Sequence, residues 1–219
     1  FVGINDPRFT SFMGINVPSH AVHSPMGRIE IAKSAVWVYA CVIARSSALS
    51  GIPLKLYQLN DSGGRTEFED HPIVRLLEDV NPSKDTPTTI RTATEQGICI
   101  HGRYQWKKVR NRAGVVVELY GLPTQFCKVV ENFTGVDHFE YEQNIAGVGR
   151  VKENFAPEDV VYFRCLDFDD SMQGLGPLQV AVETTTADLG IVTAQNAMSR
   201  NAARPSAVMT TLNKLNDSD

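Results

Sequence analysis

The stretch QGLGPLQVAVETTTADLGIVTAQNAMSRNAARPSAVM, from Gln173 to Met209, limits the possible folds more than any other. Between Gly176 and Ser199 it carries two charged side chains, Glu183 and Asp188, and its helix breakers are Pro177 at the start and Gly190 within. Pro177 suits a first helical turn, so the pattern predicts one long helix. Read by heptads, Leu178, Val182, Thr185, Leu189, Val192, Asn196 and Ser199 recur at alternating steps of four and three, a coiled-coil-like seam. The other side offers Val180, Ala187, Ile191, Ala194 and Met198, with small residues elsewhere that let neighbouring backbones come close. A surface helix of a soluble monomer normally carries far more charge. Two covers remain open: burial inside one domain, or packing against copies of the same chain.

The rest of the chain predicts an α+β fold. Residues 1–28 are rich in Gly, Pro, Asn, His and Ser without periodicity and read as an irregular N-terminal arm. Ile31, Ala35, Val38, Val42, Arg45 and Leu49 then recur at helical steps until Gly51 and Pro53, predicting one helix over Arg28–Ser50 whose middle is apolar all round and which should be a buried central helix. PLKLYQLN alternates as a strand and turns through Asp61-Ser-Gly-Gly64 into RTEFEDH as a hairpin. HPIVRLLEDVNP reads as a short helix ended at Asn81-Pro82, and Thr86-Pro87 starts another that closes at Gly102. From Arg103 to Asp167 the chain is strand-rich, with Gly- and Asn-containing turns.

Composition removes several classes. A net charge of −4 argues against a general nucleic-acid binder. With 42% hydrophobic and 21% charged residues the chain is ordinary for a globular protein, not a disordered one. Cys41, Cys99, Cys127 and Cys165 form no C-x-x-C pair and read as buried free thiols in a reducing compartment. The five histidines are scattered, so no metal ligand set is visible and no cofactor is expected. No signal peptide is apparent, the missing initiator Met reads as trimming, and the longest apolar run, Ala35–Ala44, is about half of a bilayer span.

Chemistry is hard to place. There is no G-x-S-x-G elbow and no G-x-x-x-x-G-K-[ST] phosphate loop, and Gly174-Leu-Gly176 is an incomplete dinucleotide fingerprint interrupted by Pro177. Asp167, Asp169 and Asp170 are the best acidic cluster, conceivable as the carboxylates of a metal-dependent nuclease and also readable as a solvated loop. Arg103, Lys107, Lys108, Arg110 and Arg112 put five basic residues into ten, interleaved with Tyr104 and Trp106. That pattern grips single-stranded nucleic acid in some proteins. It equally makes a salt-bridged sheet face, with Glu140–Glu142 and Glu158–Val160 available as partners.

The ordered run of motifs resembles the portal, or head-to-tail connector, proteins of tailed bacteriophages, in the lambdoid long-tailed branch. The matching stretches are VWVYACVIARSSALSGIPLKLYQ, HPIVRLLEDVNP, TTIRTATEQGICIHGRYQWKKVRNRAGVVVELYGLP, PEDVVYFRCLDFDDSMQGLGPLQVA and NAARPSAVM, spread over roughly residues 34–209. The family pattern often has asparagine where His101-Gly102-Arg103 stands and serine at Gly176, and its members run well beyond this length. The chain is therefore expected to be the N-terminal half of one.

The resemblance implies a wing-type domain of helices and mostly antiparallel sheet over 29–174, a stem helix over 175–203, and the start of a clip region over 204–219. It implies a non-enzymatic ring of about twelve copies at one capsid vertex of the virion, assembled in the cytoplasm of a bacterial host. Implied partners are the chain itself, the major capsid protein, terminase, head-completion or tail adaptor proteins, and double-stranded DNA sliding through without sequence specificity; no membrane is involved. Glu183, Thr184, Asp188, Ile191 and Gln195 become candidates for facing the channel or a neighbouring subunit, and Arg103, Lys107, Lys108 and Arg110 a candidate polar contact patch. Glu183 and Asp188 lie about 140° apart around a helix, so they would face different surroundings.

Overall fold

The computed structural model describes residues 23–200 except 61–62, 82–84, 134, 148 and 170–171. Most of the N-terminal arm, the clip stretch, the last turn of the expected stem helix and Asp170 therefore lie outside the described residues. The described residues divide into two compact units, one up to Thr185 and the other from Thr186.

Helix α1 (Pro25–Ser34) is capped by Ser24, whose hydroxyl accepts from the Gly27 N–H at 3.0 Å. Helix α2 (Val36–Ser50) follows at once. The single helix expected over Arg28–Ser50 is thus broken at Ala35, which takes φ −85° and ψ 107°. No Pro or Gly marks the break; the Ala35 N–H still bonds the Ile31 carbonyl at 2.9 Å, closing α1 before the chain turns. Nor is α2 buried all round. Val42, Ser46 and Ser50 are buried, while Val36, Trp37, Tyr39 and Leu49 are exposed.

A short exposed hairpin, β1 (Tyr57–Leu59) with β2 (Arg65–Glu67), leads to α3 (Pro72–Glu78). Helix α4 (Pro87–His101) has the expected ends: the Thr86 hydroxyl accepts from the Thr89 N–H at 3.1 Å, and Gly102 closes it at φ 73°. Strands β3 (Arg103–Arg110), β4 (Val116–Leu122) and β8 (Val160–Arg164) form one antiparallel sheet in the order β4-β3-β8. A second contains β5 (Cys127–Asn132), β6 (Gly135–Ile145) and β7 (Gly149–Phe155), also antiparallel. The fold is α+β, with a long final helix, α5 (Pro177–Arg200).

Helix α4 packs where Tyr104 and Trp106 project from β3. Tyr104 fits because Gly97 and Gly121 flank it: a Cβ at Gly97 would lie 3.1 Å from its Cγ, and one at Gly121 2.7 Å from its hydroxyl. Trp106 is buried with Val80, Ile90 and Leu119, packs on Phe163 at 4.7 Å between ring centroids, and donates its indole N–H to the Thr94 hydroxyl at 2.8 Å. Thr94→Val removes that acceptor and leaves a buried donor unsatisfied. Urea denaturation is expected to show a loss of about 1–3 kcal/mol. A second cluster of Leu122, Cys127, Val129, Phe139, Phe155 and Val160 joins the two sheets.

Candidate channel and subunit-contact surfaces

Helix α5 reaches its position through a seam of glycine backbones. Gly102 ends α4 in a left-handed conformation, and Gly174 repeats that conformation at φ 72°. Their chains meet without side chains between them: the Gly102 carbonyl accepts from the Cys165 N–H at 2.8 Å, and a Cβ at Gly102 would lie 2.6 Å from the Leu175 carbonyl carbon. A Cβ at Gly176 would lie 2.9 Å from the Ile98 carbonyl oxygen. The Gly176 N–H donates to the Gln179 side chain at 2.6 Å, and its carbonyl accepts from the Gln179 N–H at 3.0 Å as the helix begins. Gly174-Leu-Gly176 is therefore a packing device, where sequence alone offered half a nucleotide fingerprint.

Along α5, the first seam residues, Leu178 and Val182, are buried. Beyond Thr185 the pattern changes: Val192, Asn196 and Ser199 are exposed although they continue the same heptad positions. Glu183, Thr184, Asp188, Ile191 and Gln195 all lie exposed. The Glu183 carboxylate meets the His23 imidazole at 2.9 Å. In the later half of the helix Leu189 and Ala194 are partly buried, whereas Ile191, Val192 and Met198 are exposed.

The basic strand is largely paired. Lys107 bonds Glu153 at 3.0 Å and lies 4.5 Å from the centre of the Phe155 ring. Arg110 pairs with Asp159 at 3.1 Å and donates to the carbonyls of Gly114 and Glu158. Arg103 is half-buried and donates to the backbone and side-chain oxygens of Gln173, which ties β3 to the loop before α5. Of the acidic partners foreseen, Asp159 is used; Glu140 and Glu142 instead face Lys128 and Arg150, at 3.8 and 2.5 Å. Lys108, by alternation, lies on the opposite side of β3 from Lys107.

Asp167 and Asp169 sit on the loop after β8, Asp169 exposed and Asp167 partly so. Among the described residues no three His, Cys, Asp or Glu side chains gather in an arrangement that could hold a metal ion. Among those same residues no helix is long and apolar enough to cross a membrane. The four thiols are free, but they are not all buried as expected: Cys99 and Cys127 are, Cys165 is partly covered, and Cys41 is exposed on α2. Burial pushes the Cys99 and Cys127 thiols up to about 11.

The sequence profile described as phage portal protein matches residues 36–219. The chain belongs to the phage portal protein family. Its fold is similar to a chain in the neck of an empty GTA particle, with a TM-score of 0.66 and 21% identity over 82% of this chain and 48% of that one. A chain in the neck of a native GTA particle computed with C12 symmetry gives 0.64 and 20% identity over 84% of this chain and 48% of that one. This portal-family chain thus spans about half the length of the neck chains it matches. No curated protein matches it significantly.

Proposed function

We propose that the chain is a structural subunit of a portal ring, a conduit for double-stranded DNA during packaging and ejection and the attachment point for terminase and tail components. The observation that carries this is family membership over residues 36–219. In that reading residues 29–174 form the wing, 175–203 the stem beside the channel, 204–219 begin the clip, and 1–28 are an arm. The ring, of about twelve copies by the symmetry of a matched neck, sits at one capsid vertex of the virion after assembly in the host cytoplasm. It contacts the major capsid protein and head-completion or tail adaptors, and it performs no catalysis.

The charge pattern of α5 supports this reading. Its charged residues are Glu183, Asp188 and Arg200, so a channel lined by it grips few phosphates; each Lys or Arg contact would add sequence-independent affinity and slow sliding. Glu183, Thr184, Asp188, Ile191 and Gln195 line the channel or the adjoining subunit. Lys107 and Arg110, already engaged by Glu153 and Asp159, are poor candidates for a nucleic-acid grip. Native mass spectrometry with negative-stain imaging tests the proposal. Closed rings of about twelve copies with a central hole are expected, and a monomer at every concentration would sink the claim that this chain assembles by itself.

A further inference from the structure

Four buried polar atoms have no hydrogen-bond partner among the described residues: Arg28 Nε, His101 Nδ1, Arg103 Nε and Gln105 Nε2. Buried donors are almost always paired, so such a group of orphans needs an explanation. They belong to one neighbourhood. His101 ends α4, Arg103 opens β3 directly after Gly102, and Arg28 lies on α1, which packs on α4. Gln105, fully buried, follows Arg103 on the same face of β3. The Thr124 hydroxyl ties these two together, meeting the Arg103 carbonyl at 3.1 Å and the Gln105 side-chain oxygen at 3.4 Å. His101 and Thr124 also line a cavity of about 290 Å³ with Ile29, Gln96, Gly97 and Tyr104, and no acidic side chain among the described residues lines it.

The charges here are of one sign. Burial, then repulsion from Arg103, lowers the pKa of Arg28, and burial followed by repulsion from both arginines lowers that of His101. The contacts the arginines do make are with neutral oxygens: Arg28 donates to the His23 carbonyl at 2.8 Å, and Arg103 to the backbone and side chain of Gln173. Glu131, the acid on this network, is exposed and accepts from the Gln173 amide at 2.9 Å. Water satisfies an orphan N–H but does not neutralise two guanidiniums; an anion with several lone pairs does both. A cavity of this size admits a free ion and not a polymer strand, which separates the site from any contact with the phosphates of DNA.

We propose that Arg28, His101, Arg103 and Gln105 hold one small oxyanion, of the phosphate or sulfate class, at the junction of α1, α4 and β3. The Nε–H groups of the two arginines, the Nδ1–H tautomer of His101 and the Gln105 amide are its donors. Bound there, the ion fastens α1 to the end of α4 and the start of β3. All four residues belong to one subunit, so the site stands whether or not the chain assembles.

The test is thermal melting of the full chain near neutral pH as inorganic phosphate replaces chloride at constant ionic strength. The melting temperature is expected to rise saturably, by about 3–6 °C at tenfold the dissociation constant. Arg28→Gln removes one donor and a charge that is repelled when no ion is bound. This variant is expected to melt no lower than the parent in chloride and to bind phosphate at least about tenfold more weakly. A purely structural Arg28 would behave in reverse, with a lower melting temperature in chloride and an unchanged phosphate response, and that result overturns the site. A rise that is linear in phosphate and equal in both proteins is general exclusion of the salt from the surface, and it also overturns the site. So does a parent that shows no rise, which would mean that the donors are satisfied by water or by a carboxylate of the chain itself. If Arg28→Gln does not fold, Arg28→Lys keeps the charge without the Nε–H and is expected to bind phosphate several-fold more weakly; equal binding would overturn the proposal.

Discussion

Gly176→Val is expected to cost more than about 3 kcal/mol of stability, enough to abolish soluble expression of a marginally stable domain. The new side chain has nowhere to go. Its Cβ alone would lie 2.9 Å from the Ile98 carbonyl oxygen and 3.0 Å from the Gly102 Cα, both backbone atoms that no rotamer change can move. Relief would require pulling α5 away from α4, which uncovers Leu178 and Val182. Gly102→Val should be at least as damaging, because φ 73° adds backbone strain to the collision with Leu175. Gly190→Ala is the internal control. It lies in the same helix, a Cβ there meets nothing within 4 Å, and the change should stabilise by about 0.5–1 kcal/mol through helix propensity. Urea midpoints of the three variants decide the matter: a Gly176→Val protein as stable as the parent would mean that the seam is not a rigid junction.

What could be read from the sequence was whatever local chemistry determines. Helix α4 announces both its ends because Thr86 and Gly102 act within one turn of themselves. The strand–turn–strand of β3 and β4 is equally local. The break at Ala35 left no mark, since alanine favours helix and no Pro or Gly stands beside it. Which face of α2 is buried was illegible because its first turns, Val36–Ala44, are apolar on every side, so the pattern does not select Val42 over Trp37. The exposure of Cys41 was hidden in the same way. The short β1–β2 hairpin shows alternation, yet both of its strands are exposed along their whole length.

The candidate surfaces divide the same way. That the basic strand would be ion-paired was open from charge alone, and Asp159 was among the foreseen partners, but Lys107 meets Glu153, which belongs to the other sheet and is brought near only by the packing of the two sheets. The seam is the clearest limit. Gly174 and Gly176 are visible as a pair, yet their partner Gly102 lies far away along the chain, and only the closed fold shows three glycines serving one contact. The lean charge of α5, by contrast, was fully legible, although the exposure of Ile191, Val192 and Met198 was not.

The second large effect is a pH dependence centred on His101. This residue is 4% exposed at the end of α4, and its Nδ1 has no hydrogen-bond partner among the described residues. Burial, followed by repulsion from Arg28 of α1 and Arg103 of β3, pulls its pKa down to about 3. In the unfolded chain the same imidazole titrates near 6.5. Above about pH 6.5 it is neutral in both states and costs nothing. As pH falls below that value the unfolded state gains a proton that the folded state refuses, so stability declines, by up to about 1.4 kcal/mol per pH unit, until the folded pKa is reached. His138 acts in the opposite sense. Its hydrogen bond to Asp137 raises its pKa, so its stabilising contribution is complete at acid pH and is lost as pH rises through the raised value. Subtracting urea-derived stabilities of His101→Gln from those of the parent, at intervals between pH 7 and pH 4, isolates the buried group, since His138 is common to both proteins. The parent should lose its advantage progressively on acidification, with the difference changing by several kcal/mol over that range. A difference that stays flat would mean that His101 takes up its proton in the folded state, with a counter-charge supplied against Arg28 and Arg103.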